Sequence, residues 1–171
     1  MPCAVLVAGA NGAGKTTFVR QFLHVRYPDA EFLNSDEIQR EGKEFARPLQ
    51  AGRELLRRLA TAESERRSFV LETTLSSRMY ARRLALWNDS GYRSLLHFIE
   101  VPSADFAVNR VEARVAAGGH SVPDEDIRRR FSRGKILFRS VFRPLVHEWY
   151  HWESDDRGLN LVGRSQGSRQ R

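Results

Sequence analysis

Residues 9–16 read GANGAGKT and directly follow the apolar stretch Cys3–Ala8. They match the pattern G-x-x-x-x-G-K-[ST], in which a glycine-rich loop wraps a phosphate with its backbone N–H groups. Such a loop needs glycine because side chains would hold the backbone away from the anion. The helical pattern Lys15–Leu23 begins inside the motif, so its first N–H groups face the same negative charge. The sequence therefore predicts a strand, a phosphate-binding loop and a helix, in that order.

The predicted nucleotide-binding residues are those of the loop and the residue after it: Gly9, Ala10, Asn11, Gly12, Ala13, Gly14, Lys15, Thr16 and Thr17. In loops of this kind the lysine reaches the β- and γ-phosphates, and the hydroxyl that follows it binds Mg²⁺. Lys15 and Thr16 are therefore predicted to take these two roles, with ATP and Mg²⁺ as the cofactors.

Short apolar stretches alternate with longer helical patterns along the rest of the chain. Strands are predicted at Cys3–Ala8, Glu31–Asn34, Ser68–Leu71, Ser94–Val101 and Leu159–Val162. Helices are predicted at Lys15–Leu23, Ser35–Arg40, Ala46–Glu65, 77–88, Ser103–Ala117 and from Asp124 to about Tyr150, the last one broken at Pro144. This alternation predicts an α/β fold of the P-loop type, a three-layer sandwich with a mostly parallel sheet.

The length of 171 residues favours a single domain. We expect the P-loop domain to span residues 1–163 and the polar, basic residues 164–171 to form a disordered tail. The lone cysteine, Cys3, cannot form an internal disulfide, and the apolar stretch at the N-terminus is too short for a signal peptide or a membrane span. These features predict a cytoplasmic protein that does not enter a membrane.

The formal net charge is +7, and nearly all of the basic residues are arginines. Arginine forks suit phosphates and carboxylates, so this surface favours anionic partners such as nucleotides, nucleotide sugars, nucleic acid or an acidic protein. An arginine-rich composition also arises from the base content of a genome, and the sequence leaves that alternative open. The arginines are spread along the chain without interleaved aromatic residues, which makes a nucleic-acid platform less favoured though not excluded.

Reactive side chains follow the predicted strands, where ligands bind in open α/β sheets. A kinase transfers the γ-phosphoryl group of ATP to a hydroxyl of a second molecule, the acceptor, and a carboxylate near that group can take the proton of the hydroxyl. Asp36 follows the strand that ends at Asn34, and it is the predicted base. Glu72, Thr73 and Thr74 follow the next strand and are predicted to bind the acceptor. Glu72 also fits an acid that orients Mg²⁺ through water, because it comes directly after an apolar strand. Asp36 also lies in the first turn of a helix, where carboxylates stabilise the helix dipole, and Glu72 fits a structural acid at a strand end.

Arginines cluster on the two helices that flank the segment 118–123, which reads GGHSVP. Arg110 and Arg114 lie four residues apart and share a helix face. The next helix carries Arg128, Arg129 and Arg130, which cannot all face one way at about 100° per residue. Two such helices and a glycine-rich turn are typical of a small helical lid, whose arginines neutralise charge on a transferred phosphoryl group. Arg110 and Arg114 are predicted to be catalytic, and Arg114, Arg128 and Arg129 to contact phosphates.

Four motifs together resemble the zeta-toxin family of P-loop kinases: GANGAGKTT, NSDEI, VLETTLSS and RVEARVAAGGHSVPDEDIRRRF. The resemblance covers about residues 4–140. It implies that Lys15 and Thr16 hold ATP·Mg²⁺, that Asp36 is the base, and that Glu72 and Thr73 line the acceptor pocket. It also implies a nucleotide-sugar acceptor of the UDP-N-acetylglucosamine type and a role as the toxin of a toxin–antitoxin pair, with a small antitoxin protein as partner. The stretch 152–156 matches the family's Asp-Asn strand only weakly.

Two other functions fit the same residues. One is a P-loop kinase of another acceptor, such as a nucleic-acid 5′ end, a dinucleotide or an antibiotic. The other is a nucleotide-binding regulator without catalysis, which the presence of Asp36, Glu72, Arg110 and Arg114 disfavours.

Overall fold

The computed structural model describes residues 1–165. Six strands form one sheet: β1 Cys3–Ala8, β2 Glu31–Leu33, β3 Phe69–Thr73, β4 Arg93–Glu100, β5 Glu148–Asp155 and β6 Gly158–Arg164. The α-helices are α1 Lys15–Phe18, α2 His24–Arg26, α3 Ser35–Glu41, α4 Pro48–Ser64, α5 Met79–Asp89, α6 Ala104–Ala116 and α7 Asp124–Leu137. Shorter helical turns lie at Val19–Leu23, Lys43–Phe45, Phe138–Phe142 and Arg143–Leu145.

The sheet has the strand order β2-β3-β1-β4-β5-β6. Every neighbouring pair from β2 to β5 is parallel, and β6 alone runs antiparallel, beside β5. The carboxyl ends of five strands therefore meet at one edge of the sheet, which is where ligands bind in open α/β folds.

Two hydrophobic cores cover the two faces of the sheet. One core joins alternate residues of β1, such as Leu6, to α4, α5 and Phe138. The other joins the intervening residues, such as Val5 and Val7, to α6 and to the helix after the phosphate-binding loop. Strands buried on both faces explain the continuous apolar sequences of β1 and β3. The predicted three-layer α/β architecture is confirmed.

Helix α7 crosses from one core to the other. Ile127 near its start is buried with the residues of α6, whereas Leu137 at its end is buried in the core on the opposite face of the sheet. The helix therefore passes over the carboxyl edge of the sheet. The two helices α6 and α7, with the turn between them, correspond to the predicted lid.

The prediction of helix up to Tyr150 is wrong at its end, because residues 148–155 form strand β5. The helical part stops near Pro144, as expected from a residue that cannot continue a helix. Residues of β5 alternate between the two cores: Trp149 packs in one, and Tyr150 and Trp152 pack in the other. This period of two, together with the strand preference of aromatic residues, marks residues 149–152 as part of a strand.

Strand β6 extends to Arg164, and Ser165 is hydrogen-bonded to Trp149 of β5, so the ordered fold runs past the expected boundary at residue 163. Most of the predicted tail, residues 166–171, lies outside the described part of the chain. Within residues 1–165, no helix has the length and apolar character that a membrane span requires.

Candidate active site

A cleft of about 770 Å³ opens at the carboxyl edge of the sheet. Its volume is in the range of ligand-binding pockets. The lining residues come from the phosphate-binding loop and the helix after it, the ends of β2, β3 and β5, the starts of α3 and β6, and the helices α6 and α7: Asn11, Gly12, Ala13, Gly14, Lys15, Thr16, Thr17, Phe18, Gln21, Phe22, Asn34, Ser35, Asp36, Glu72, Thr73, Thr74, Arg110, Arg114, Arg130, Ser154, Asp155, Gly158 and Leu159.

Glycines in the phosphate-binding loop also permit close packing behind it. A Cβ on Gly9 would lie 2.3 Å from the carbonyl oxygen of Ile99, and one on Gly12 would lie 2.6 Å from the carbonyl oxygen of Ala107. The loop is therefore fixed against β4 and α6. Gly9 and Ala10 do not line the cleft, whereas the other seven predicted nucleotide-binding residues, 11–17, do.

Lys15 is buried at the floor of the cleft. Its ammonium group donates a 2.9 Å hydrogen bond to the carbonyl oxygen of Ala10 and lies 3.8 Å from the carboxylate of Glu72. Burial lowers the pKa of Lys15, and the nearby carboxylates of Glu72 and Asp36 oppose this shift. An anion held by the loop would favour the charged form further, since an opposite charge nearby raises the pKa of an ammonium group.

Glu72 joins β3 to the phosphate-binding loop. One carboxylate oxygen accepts hydrogen bonds from the hydroxyl of Thr16 at 2.8 Å and from the amide of Asn34 at 2.7 Å. Burial raises the pKa of Glu72, although Lys15 and these two donors favour its ionised form. Glu72 thus faces the loop, and the oxygens of Thr16 and Glu72 are of the hard type that Mg²⁺ prefers.

Asn34 sets the position of Asp36. Its side-chain oxygen caps α3 by accepting hydrogen bonds from the N–H groups of Asp36 at 2.7 Å and Glu37 at 3.3 Å. With the capping role taken by Asn34, the carboxylate of Asp36 makes no hydrogen bond or ion pair with any residue from 1 to 165. Three carboxylates line the cleft: Glu72 is bound to the loop, Asp155 accepts hydrogen bonds from the N–H groups of Arg157 and Gly158, and Asp36 is uncommitted.

Arg110 links α6 to the end of β5. Its guanidinium group donates hydrogen bonds to the hydroxyl of Ser154 at 3.1 Å and to the carbonyl oxygen of Asp155 at 3.4 Å, and it lies 4.8 Å from the ring centre of Phe106. Residues 152–156, which match the Asp-Asn strand of the zeta-toxin family only weakly, thus contribute Ser154 and Asp155 to the wall of the cleft.

The arginines of α7 point in different directions. Arg130 donates a 3.1 Å hydrogen bond to the side-chain oxygen of Asn11 and lines the cleft together with Arg114. Arg128 instead pairs with Asp105 at 2.6 Å and Arg129 with Asp126 at 2.6 Å, and neither lines the cleft. The structure therefore places Arg130, not Arg128 or Arg129, beside the loop, because a turn of about 100° per residue separates neighbouring side chains.

The end of β3 and the loop after it contribute Thr73 and Thr74 to the wall of the cleft. The hydroxyl of Thr73 accepts a 3.1 Å hydrogen bond from the N–H of Leu75, and the hydroxyls of Thr74 and Ser76 lie 3.0 Å apart. Leu75 is buried in the core and has a φ of 53°, a left-handed conformation that is costly for leucine. Its side chain anchors the loop, so Thr73 and Thr74 are held in place at the cleft.

The structure brings most of the predicted site residues together. It adds polar residues that the sequence did not assign to the site, among them Asn34, Ser154 and Asp155, and it selects Arg130 from the three arginines of α7. An Asn immediately before a predicted helix start is a capping signal, and it could have identified Asn34. Strand β5 was not predicted from its own pattern, and the weak match of residues 152–156 to the family's Asp-Asn strand is the signal that could have identified Ser154 and Asp155.

The fold and the cleft define a P-loop protein with the architecture of P-loop kinases. Residues 5–133 match the model of the family AAA_33, described as an AAA domain, and the chain belongs to this family. An uncharacterized protein of Haemophilus influenzae is 27% identical over 134 residues, which are 75% of this chain and 91% of that protein.

Solved structures share the fold at low sequence identity. A chain of the PezAT chromosomal toxin–antitoxin system of Streptococcus pneumoniae has 15% identity and a TM-score of 0.67 over 98% of this chain and 75% of its own length. The AvrRxo1-ORF1:-ORF2 complex with ATP gives 15% identity and a TM-score of 0.71 over 96% of this chain, which spans 58% of that one. Shikimate kinase of Acinetobacter baumannii has 19% identity and a TM-score of 0.52, over 91% of this chain and 86% of its own length. The predicted resemblance to zeta-toxin-like P-loop kinases is confirmed as one of fold.

Proposed function

We propose that this protein is an ATP-dependent phosphotransferase that moves the γ-phosphoryl group of ATP onto a hydroxyl of a small molecule. The observation that carries the proposal is the contrast between two carboxylates of the cleft, Glu72 and Asp36. Glu72 is bound to Thr16 and Asn34, whereas Asp36 faces the same cleft without a partner among residues 1–165. Two carboxylates in such different surroundings suit two different roles.

In this proposal, the phosphate-binding loop and Lys15 hold the β- and γ-phosphates of ATP. Asp36 accepts the proton of the acceptor hydroxyl, whose oxygen then forms the bond to the γ-phosphorus. The bond from that phosphorus to the β–γ bridging oxygen breaks, and ADP leaves. Catalysis of this kind consists mainly of positioning and of neutralising charge.

Thr16 and Glu72 would hold Mg²⁺, either directly or through water, and the ion when bound would neutralise charge on the β- and γ-phosphates. The 2.8 Å contact between their oxygens supports this assignment. Of the two roles that the sequence leaves open for Glu72, the proposal takes the one on the Mg²⁺ side and leaves the acceptor to Asp36, Thr73 and Thr74.

The arginines would neutralise the charge that develops during transfer. Arg110, Arg114 and Arg130 all line the cleft and converge on it from α6 and α7. Guanidinium groups form charge-assisted hydrogen bonds with phosphate oxygens, and these are about twice as strong as neutral ones. In this proposal they take the roles that the sequence analysis gave to Arg110, Arg114, Arg128 and Arg129.

For the acceptor we propose a nucleotide sugar of the UDP-N-acetylglucosamine type, bound beside Asp36, Thr73 and Thr74. The hydroxyls of the two threonines suit a sugar, and the net charge of +7 suits a diphosphate-containing acceptor. We further propose that the protein acts as a toxin restrained by a small antitoxin protein. The shared fold with the PezAT toxin–antitoxin system supports this role.

The test is a phosphoryl-transfer assay with γ-labelled ATP, Mg²⁺ and UDP-N-acetylglucosamine. Asp36→Asn is compared with Glu37→Gln, which alters the next residue of α3, a carboxylate paired with Arg20 and absent from the cleft. We expect label in the sugar nucleotide, a loss of about 10²-fold or more in Asp36→Asn, and near-normal transfer in Glu37→Gln. Full transfer in Asp36→Asn would show that another group is the base.

Absence of transfer, with ATP binding that Lys15→Ala abolishes, would refute the sugar acceptor and leave the phosphate-donor site. RNA and DNA 5′ ends, dinucleotides and antibiotics would then be offered as acceptors. If none is phosphorylated, the protein is a nucleotide-binding module rather than a kinase.

The toxin role has its own test in growing cells. Expression of the wild-type chain should slow growth, and Lys15→Ala or Asp36→Ala should relieve the effect, because each removes a group needed for transfer. Equal growth inhibition by wild type and both variants would contradict a toxin that acts by phosphorylation.

A further inference from the structure

The turn that ends α6 contains two adjacent glycines with different surroundings. Gly118 has a φ of 87°, its N–H donates to the carbonyl oxygen of Val115, and the N–H of Gly119 donates to that of Arg114, each at 2.9 Å. This pattern is a Schellman motif, which places a left-handed glycine directly after the helix. The capping of α6 therefore explains Gly118, but it does not require glycine at position 119.

Gly119 is instead crowded by Arg114. A Cβ built on Gly119 would lie 2.6 Å from the Cγ of Arg114 and 2.8 Å from its carbonyl oxygen, whereas one on Gly118 would meet no atom of residues 1–165 within 4 Å. The Cγ lies near the base of the arginine side chain, where little freedom remains to move aside. Any side chain at position 119 must therefore displace either the turn or the start of the Arg114 side chain.

The same turn also holds the far end of that side chain. A terminal nitrogen of Arg114 donates a 2.8 Å hydrogen bond to the backbone carbonyl oxygen of His120. The Nε of Arg114 is buried and has no hydrogen-bond partner in the described part of the chain, and Arg114 lines the cleft. A buried guanidinium nitrogen without a partner is costly unless a ligand supplies an acceptor.

We propose that Gly119 and the backbone carbonyl of His120 are positioning groups that hold the guanidinium of Arg114 ready for the phosphates of the nucleotide. The inference rests on the proposed function, since it takes ATP as the ligand of the cleft. The turn between α6 and α7 thus does more than join two helices. It fixes one conformation of Arg114 before the nucleotide arrives.

The experiment compares Gly119→Ala with Gly118→Ala, a matched pair in one turn. Titration calorimetry gives the affinities of both variants, of Arg114→Ala and of the double variant Gly119→Ala/Arg114→Ala for ATP and for inorganic tripolyphosphate. Thermal unfolding checks that each variant is folded. Gly118→Ala strains the turn through its φ of 87°, but it places no atom against Arg114.

We expect Arg114→Ala to weaken binding of both ligands by about tenfold, as the loss of a charge-assisted hydrogen bond predicts. Gly119→Ala should show a similar loss and should add little in the double variant, because both changes remove the same contact. Gly118→Ala should bind within about threefold of wild type once its thermal stability is taken into account.

Wild-type affinity retained by Gly119→Ala would overturn the inference, as would equal losses in the two glycine variants or additive losses in the double variant. Unchanged binding in Arg114→Ala would overturn it as well. These outcomes differ from a failure of the proposed function, which appears in the wild-type protein as no phosphoryl transfer to any acceptor. Wild-type protein that binds neither ligand would refute both.

Discussion

The carboxylate of Glu72 accepts a 2.8 Å hydrogen bond from the hydroxyl of Thr16. This contact joins the end of β3 to the first turn after the phosphate-binding loop, 56 positions apart in the chain. The same carboxylate oxygen accepts a hydrogen bond from Asn34 at the end of β2. One buried carboxylate thus connects three of the segments that form the cleft, and its charge lies 3.8 Å from the ammonium group of Lys15.

Replacing Glu72 with Gln should lower phosphoryl transfer by about 10²-fold, because it removes the negative charge beside Lys15 and one of the oxygen donors for Mg²⁺. Glu100→Gln is the matched control, since Glu100 ends another parallel strand but pairs with Lys135 and His151 outside the cleft. Turnover is followed with γ-labelled ATP, and Mg²⁺-dependent ATP affinity by calorimetry. Equal losses in the two variants would show that Glu72 acts only through the fold.

Arg130→Ala should weaken ATP binding by about tenfold, whereas Arg129→Ala should leave it within about twofold of wild type. Arg130 contacts Asn11 of the phosphate-binding loop, whereas Arg129 pairs with Asp126 at the surface. Both variants lose one positive charge from the same helix, so a general effect of net charge would be equal in the two. A larger loss in Arg129→Ala would contradict the placement of these side chains.

The phosphate-binding loop could be predicted from the sequence because its requirements are local. A run of small residues, a lysine and a hydroxyl within eight positions determine a backbone conformation on their own. The carboxylates were located for a similar reason, since parallel strands bring their carboxyl ends to one edge. Which of them faces the loop depends on Thr16 and Asn34, two side chains from distant segments, and that pairing leaves no local pattern.

The missed strand and the arginines show where sequence patterns were insufficient. Strand β5 follows the helical stretch after only Val146 and His147, and its few period-two residues do not mark where the helix ends. For Arg128, Arg129 and Arg130 the helix could be predicted but its rotation about its own axis could not. That rotation is set by tertiary packing, in which Ile127 is buried against α6.

The two helical glycines Gly52 and Gly134 should respond in opposite ways to replacement by Ala. A Cβ on Gly52 of α4 would have no atom of residues 1–165 within 4 Å, so Gly52→Ala should raise the free energy of unfolding by about 0.5–1 kcal/mol.

A Cβ on Gly134 of α7 would lie 3.1 Å from the carbonyl oxygen of Thr74. Gly134→Ala should therefore gain no stability, and it should raise the KM for the acceptor by displacing the loop of Thr74. Urea unfolding and acceptor kinetics check the two effects, and equal stabilisation by both changes would contradict the close contact.

The buried His97 should make the protein sensitive to mild acid. Its Nδ1 accepts a 3.2 Å hydrogen bond from the indole of Trp152, its ring stacks on Tyr150 at 4.8 Å, and burial lowers its pKa to about 4 against the weaker opposing effect of Glu148. Between about pH 6.5 and pH 4 the unfolded chain binds a proton that the folded protein excludes. The free energy of unfolding should therefore fall as the pH falls through this window, by about 3 kcal/mol at most.

Urea unfolding of wild type and His97→Gln between pH 4 and pH 7.5 measures this effect. Gln can still accept a hydrogen bond from Trp152 but does not titrate, so the variant should lack this part of the slope. His24→Gln, a change at an exposed position of α2, should keep the wild-type slope. If His97→Gln follows the wild-type curve through the whole window, the acid sensitivity comes from other groups and His97 titrates freely in the folded protein.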